Sequence, residues 1–223
     1  MTHKLMLTFS LMLAILAGCA GCGDTGESAN DDDSAADAGL VVVVDDDDSA
    51  VSDDDDSGEP SPITWTDCGG AIGEKACDFT YTDQNGDEWN LYDQYGTVMI
   101  LDFSTVWCGV CKNLAPTVQM HQDTYTALGH NFLWVTVLVD GPDWGVAPTH
   151  AEVAAWATDY GMTTSPVLGG DRNVVDTTAE NGYPITGWPT FVIVDETLTI
   201  RHGIIGWDEN LVMTWLESVL NSN

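Results

Sequence analysis

The stretch Val98-Met99-Ile100-Leu101-Asp102-Phe103-Ser104-Thr105-Val106-Trp107-Cys108-Gly109-Val110-Cys111-Lys112 constrains this chain more than any other. An apolar run of that length bounded by a glycine reads as a buried strand, and the residues after Cys111 read as a helix, so a Cys-x-x-Cys sits at a strand-to-helix turn. That position carries chemistry. The first turn of a helix has unsatisfied N–H groups and the positive end of the macrodipole, which stabilise a thiolate at Cys108. Cys108 is therefore the expected attacking sulfur. Cys111, one helical turn on, is placed to attack a mixed disulfide formed on Cys108 and release the product.

The first residues read as an export signal. Met1 to Ser10 carries one Lys and leads into the apolar Leu11-Met12-Leu13-Ala14-Ile15-Leu16, too short to span a bilayer comfortably and ending in small residues. Leu16-Ala17-Gly18-Cys19 resembles the lipobox of bacterial lipoproteins, in which the Cys becomes the lipidated first residue of the mature chain. Several acyl chains on Cys19 would hold the protein on a membrane stably. An ordinary secretory signal cut near Ala20 is the competing reading, and the match at all four lipobox positions favours the lipoprotein. Ala20 is not the Asp that retains lipoproteins at the inner membrane of well-studied Gram-negative bacteria, which points to the outer membrane.

Residues 1–18 are thus expected to be a signal peptide and residues 19–60 a lipid-anchored acidic linker. Asp31 to Asp33, Asp45 to Asp48 and Asp53 to Asp56 are charge blocks in a background of Ser, Ala and Gly, interrupted by the apolar Leu40 to Val44. Such a stretch buries too little apolar surface to offset its ordering entropy and is expected to be disordered. As a flexible coil its ends would lie at least about 35 Å apart, enough to lift a folded domain off a lipid surface. The Asp blocks lack the alternating ligand and Gly pattern of a calcium loop.

Residues 61–223 are one domain's worth of chain. Fifteen of the 36 acidic residues fall between Asp24 and Glu59, which leaves 21 here against Lys75, Lys112, Arg172 and Arg201, a formal charge of −17. That sign disfavours nucleic acid and direct adsorption to anionic lipid. Cys68 and Cys77, around Gly69, Gly70 and Gly73, read in an exported protein as a structural disulfide, with a second redox pair as the alternative. Cys22 is left over: a free thiol, a further acylation site and an intermolecular bridge all stay open.

Next comes a hairpin, Phe79 to Thr82 and Glu88 to Leu91 flanking Asn85-Gly86. Strand Val98 to Phe103 leads into the cysteines, and a helix runs from about Cys108 towards Leu128 with a kink expected at Pro116. Asn131 to Val139 reads as a buried strand, and Thr149 caps a helix through Tyr160, with Glu152 completing a capping box. Ser165-Pro166-Val167-Leu168 and a segment from Val174 to Asn181 read as connections. Thr190 to Val194 and Thr199 to Ile205 form a second hairpin, and Asp208 caps a last helix to Leu220. The order predicts a mixed α/β sheet with helices on both faces.

With these residues in place the chain resembles the thioredoxin-fold proteins, in particular the exported thiol–disulfide oxidoreductases of the TlpA and ResA kind, over residues 63 to 222. Trp107-Cys108-Gly109-Val110-Cys111-Lys112 matches the family's active-site motif, Pro116 its helix proline, and Gly187-Trp188-Pro189-Thr190 its cis-proline loop. The helix at Thr149 to Tyr160 falls where the exported subgroup carries an insertion. The resemblance implies a thioredoxin fold with an N-terminal hairpin and one inserted helix. It also implies that Pro189 is cis and lies against Cys108, and that the backbone of Trp188 pairs with an extended client segment as a strand adds to a sheet edge. Trp107, Trp188, Gly109 and Val110 are then the expected client-contacting residues. Val110 departs from the Pro common between the cysteines, and residues there help to set redox poise.

Asp102, six residues before Cys108, stands where thioredoxins keep a buried acid. Burial raises a carboxyl pKa, and such a group is expected to take the proton of Cys111 as that thiol attacks; a salt-bridged structural Asp is the competing reading. His121, His130, His150 and His202 show no mutual ligand spacing. The expectation is a cell-envelope thiol–disulfide oxidoreductase facing the periplasm, working without an organic cofactor or metal. Its partners would be protein disulfide or dithiol clients and a membrane or periplasmic electron-transfer protein, with the membrane reached through the lipid anchor. Two alternatives compete. A peroxiredoxin-like thiol peroxidase would use Thr105, three residues before Cys108; a copper-delivery protein would use the same thiols as soft ligands with Met120 or Met162 nearby.

Overall fold

Eight consecutive buried residues, Val98–Thr105, form an interior strand of the sheet, β3 in chain order. A computed structural model describes residues 61–222; the export signal, the lipobox cysteine Cys19, Cys22 and the acidic linker lie outside the described residues. β3 has a parallel neighbour in β4 (Phe132–Asp140) and an antiparallel one in β6 (Thr190–Val194), and side chains cover both of its faces. A strand so placed must be apolar on both sides, which is why Val98 to Leu101 reads as a continuous run instead of an alternation.

The other strands are β1 (Thr80–Asp83), β2 (Glu88–Asn90), β5 (Val167–Gly169) and β7 (Ile200–Ile205). They complete a seven-stranded mixed sheet in the order β2-β1-β5-β4-β3-β6-β7. β1 and β2 pair as an antiparallel hairpin, and Gly86 takes the positive φ of 93° that its turn requires. β5 is the strand that periodicity does not reveal. Three residues are too few to show a pattern, yet β5 joins the hairpin to the central sheet, parallel to β4 and antiparallel to β1. The Gln84 side chain accepts the Val167 N–H at 2.8 Å and helps hold it there.

The α-helices are α1 (Gly109–Ala127), α2 (His150–Asp159) and α3 (Glu209–Leu220). Each begins on a side chain that accepts a first-turn N–H: Cys108 for α1, Thr149 in a complete capping box for α2, and Asp208 for α3. α1 continues through Pro116, which is exposed together with Lys112, so water can serve the carbonyl that the missing N–H leaves. The Gln122 amide ties α1 to β4, donating to Phe132 O at 2.8 Å and accepting Trp134 N–H at 2.7 Å.

The helices are distributed differently from the two-faced arrangement expected. Leu114 and Val118 of α1, Val153 and Trp156 of α2, and Val212 and Leu216 of α3 all pack into one cluster with Ile100, Trp134 and Phe191. The opposite face, with Met99, Leu101, Phe103, Val135 and Val137, is covered by 3-10 turns at Tyr92–Gln94 and Arg172–Val174 and by connecting segments. The cause is topological. The crossovers β3-α1-β4 and β4-α2-β5 step the same way along the sheet, and right-handed connections then place both helices on one side. The return from β5 to β6 crosses the other side through a segment rich in Gly, Asp and Asn, which forms only a short 3-10 turn.

On that second face Cys68 and Cys77 are joined in a disulfide. Their loop is stitched down by Gly73 N–H to Ile200 O at 2.8 Å and Ala76 N–H to Leu198 O at 2.8 Å.

Candidate active site

Alternation along β3 decides which side chains meet the cysteines. Val98 and Ile100 face α1 and α3, so Asp102 and Ser104 face the same way, while Met99, Leu101 and Phe103 face the opposite cluster. Thr136 of β4 pairs with Asp102 across the parallel ladder. A register shift after Ser104 ends the regular pairing, Val106 N–H bonds to Asp140 O at 3.0 Å, and the chain turns so that Cys108 caps α1.

Cys108 has extended backbone angles, and its Sγ accepts the Cys111 N–H at 3.2 Å. The sulfur thus takes one of the donors that a helix start leaves unpaired, the place where a thiolate is best served. Cys108 and Cys111 both carry free thiols. Access is narrower than an attacking sulfur leads one to expect. Cys108 is only 6% exposed and Cys111 not at all, while Trp107, Gly109 and Val110 around the opening are exposed.

Asp102 is 1% exposed, and burial pushes its carboxyl up to about 7. The Ser104 hydroxyl, donating to Oδ1 at 2.6 Å, and the Thr136 hydroxyl, at 3.5 Å from Oδ2, oppose that shift. The Trp134 indole N–H lies near enough to oppose it too, although it closes no hydrogen bond of ordinary geometry. Cys111 is driven far above the ordinary thiol range, first by burial and then by its contact with Cys108. The nearby Asp102 charge adds to the rise, and the Ser104 hydroxyl works against it.

Pro189 precedes β6, the antiparallel neighbour of β3, and Thr190 pairs with Phe103. The loop is therefore brought to the end of the sheet at which Cys108 sits. The Trp188–Pro189 peptide bond is cis. Pro189 is buried with its carbonyl accepting Gly206 N–H at 2.7 Å, and the Trp188 ring packs against the cluster that contains both cysteines. Among the described residues, neither the N–H nor the C=O of Trp188 is hydrogen bonded, so this backbone is open to a partner.

A second constellation, between residues far apart in sequence, fixes Trp107. Its indole N–H donates to Asp140 Oδ2 at 3.1 Å, and Arg172 grips the same fully buried carboxylate through Nε at 2.8 Å and Nη2 at 2.5 Å. Burial works to raise Asp140, but Arg172, the Gly145 N–H and Trp107 together outweigh it and hold the carboxyl below its ordinary value. Arg172 also lies over the exposed Trp144 ring at 4.4 Å. Trp144, Arg172 and Trp188 line a shallow hollow of about 330 Å³.

Asp140, Arg172, Trp144 and Ser104 stand outside the residues that the sequence motifs mark. A period-2 count from Asp102 would have found Ser104. No local signal marks Asp140 with Arg172. Of the possible soft ligands, Met120 lies on the solvent face of α1, nine residues or about 13 Å along the helix from Cys111. His121 stacks on Trp134 and contacts Glu209 at 3.1 Å.

The model of the AhpC/TSA family matches residues 72–203, more than half of the chain, from the loop before β1 into β7. The chain belongs to the AhpC/TSA family. The AhpC/TSA match includes Asp102, Cys108, Cys111 and Pro189 and leaves out Cys68 and α3. Two named relatives are similar to it. The thiol-disulfide oxidoreductase ResA of Geobacillus kaustophilus (strain HTA426) is 26% identical over 136 residues, covering 61% of this chain and 70% of that protein. The thioredoxin-like protein YneN of Bacillus subtilis (strain 168) is 25% identical over 139 residues, covering 60% and 71%. Among solved structures, a thiol:disulfide interchange protein of the thioredoxin family from Chlorobium tepidum TLS superposes with a TM-score of 0.52. It is 19% identical, covering 67% of this chain and 98% of that one, and shows that this AhpC/TSA chain has the thioredoxin fold.

Proposed function

We propose that this protein is a thiol–disulfide oxidoreductase of the cell envelope that exchanges the disulfides of protein clients through Cys108 and Cys111. The observation that carries this reading is the Cys108 sulfur on the first-turn Cys111 N–H of α1, at the sheet end where the unbonded Trp188 backbone stands. A client segment laid along Trp188 presents its disulfide to Cys108. The Cys108 thiolate attacks one client sulfur, and the electron pair of the broken bond leaves on the other. Cys111 then gives its proton to the buried Asp102 side of the site and attacks Cys108 Sγ. The client sulfurs leave as thiolates and take their protons from solvent, and the protein keeps the Cys108–Cys111 disulfide. The likeness in sequence to a thiol-disulfide oxidoreductase named ResA supports the same chemistry. Asp102 serves as the proton acceptor, Trp107, Gly109 and Val110 border the approach, and Cys68–Cys77 is structural.

The test is insulin-disulfide reduction. Cys108→Ser abolishes it, and Cys111→Ser accumulates mixed disulfides visible on non-reducing gels. Undiminished activity in Cys108→Ser sinks the reading. The peroxidase alternative draws on Thr105, whose buried Oγ1 has no hydrogen-bond partner among the described residues, and Cys108-dependent consumption of hydrogen peroxide without insulin reduction would put it in place of this one.

The sequence around Cys19 supports a lipid anchor, with the acidic linker as the tether between membrane and domain. Metabolic labelling with a radioactive fatty acid should mark the wild-type chain and leave Cys19→Ala unlabelled and released to the soluble fraction; equal labelling of both rejects the anchor.

A further inference from the structure

The Trp188 side chain borders two environments. It packs with the cluster that holds Cys108 and Cys111, and also with the cluster that holds Val175 and Ile185. Val175 and Ile185 line the hollow of about 330 Å³ together with Trp144, Arg172, Thr186 and Trp188 itself. The hollow therefore adjoins the open Trp188 backbone on the side away from the cysteines. Successive side chains of an extended segment point to opposite sides, so when a client cysteine turns to Cys108 the residue beside it turns towards the hollow. Strand addition draws its specificity from pockets for alternate side chains in this way.

The walls of the hollow select what enters. Trp144 is 73% exposed, and its ring lies on the Arg172 guanidinium at 4.4 Å. Arg172 is not free to follow a ligand, because its Nε and Nη2 both bond the buried Asp140 carboxylate and fix its plane. Its charge is balanced there, inside a strongly acidic domain, so an acidic side chain is not favoured and a basic one is set against the guanidinium. An aromatic ring meets two indoles and a fixed cation, which favour it over an aliphatic side chain of similar area. Among the described residues Arg172 Nη1 makes no hydrogen bond, which leaves a donor for a phenol oxygen. We propose that Trp144, Arg172 and Trp188 form a client subsite that takes an aromatic side chain next to the client's reactive cysteine. This rests on the oxidoreductase reading above and adds what distinguishes one client from another.

The experiment uses the reduced full-length chain with Cys19→Ala and Cys22→Ala, so that Cys108 and Cys111 supply the free thiols. The substrates are short synthetic peptides with one cysteine each, joined by a disulfide to thionitrobenzoate, with Ala, Leu, Phe, Tyr or Glu on either side of the cysteine. Cys108 attacks the peptide sulfur and thionitrobenzoate leaves with the electron pair, so its absorbance gives a second-order rate constant. Dividing by the constant for the same peptide with glutathione removes differences in intrinsic reactivity. At one flank of the cysteine, Phe and Tyr should react about tenfold faster than Ala or Glu and about threefold faster than Leu. Trp144→Ala should bring Phe and Tyr to within twofold of Leu, and Trp144→Phe, which keeps a ring, should retain the preference. Trp144 is exposed and bonds neither Asp140 nor a cysteine, so the variant leaves the Trp107 anchor in place. Rates alike across the series, a preference for Glu, or an aromatic preference unchanged in Trp144→Ala overturns the subsite. Release no faster than in Cys108→Ser with every peptide would overturn the oxidoreductase reading instead.

Discussion

Asp102 shows how one residue can be costly to the fold and still belong to the site. Its carboxyl is raised by burial from an unfolded value near 4 to about 7, so between these pH values the native state holds a proton that the unfolded chain has lost. Stability tied to this group is complete below about pH 4 and falls as pH rises to about 7, by about 4 kcal/mol in all. Asp102→Asn should remove that dependence. In urea unfolding it should exceed the wild type by a few kcal/mol at pH 8 and by little at pH 4; a parallel pair of curves would show that the carboxyl is not raised. The same residue makes Cys111 harder to ionise. Trp107 is the opposite case. It is anchored through a carboxylate that Arg172 keeps charged, so the ring beside Cys108 is held by residues 33 and 65 positions further on.

Helix starts organise the elements. α1 uses a reactive sulfur as its cap, whereas α2 uses Thr149, which accepts the Glu152 N–H while the Glu152 carboxylate accepts the Thr149 N–H at 2.7 Å. Only the first cap does chemistry. Thr149→Ala should therefore lower stability by about 1 kcal/mol in chemical denaturation and leave insulin reduction unchanged. The caps at Thr149 and Asp208 and the Asn85-Gly86 turn are readable in sequence because the partners lie within a few residues of one another. β5 is not, because a strand of three residues is defined by the neighbours that bond to it.

At the scale of the folded domain, the α-helices of the described residues lie on one face of the sheet, and the other depends on segments with little regular structure. There the Cys68–Cys77 disulfide closes a short loop that carries Lys75 Nζ to Thr197 O at 2.7 Å and over the Trp65 ring at 4.5 Å. A loop of nine residues' separation should contribute about 2–3 kcal/mol through the entropy it removes from the unfolded chain. Replacing both Cys68 and Cys77 with Ala should cost that much in thermal or urea unfolding and spare insulin reduction. Loss of activity in a folded double variant would make the pair a second redox centre.

The sequence by itself determined the strand, turn and capped helix that carry Cys108 and Cys111, the hairpins, and the proline loop, because each is written in residues close together along the chain. Tertiary structure alone decided that the helices share a face and that β5 bridges the hairpin to the core. It also decided that Asp140 and Arg172 hold Trp107. Those outcomes depend on strand order and on which face each strand turns inward, and neither is stored in any short stretch of residues.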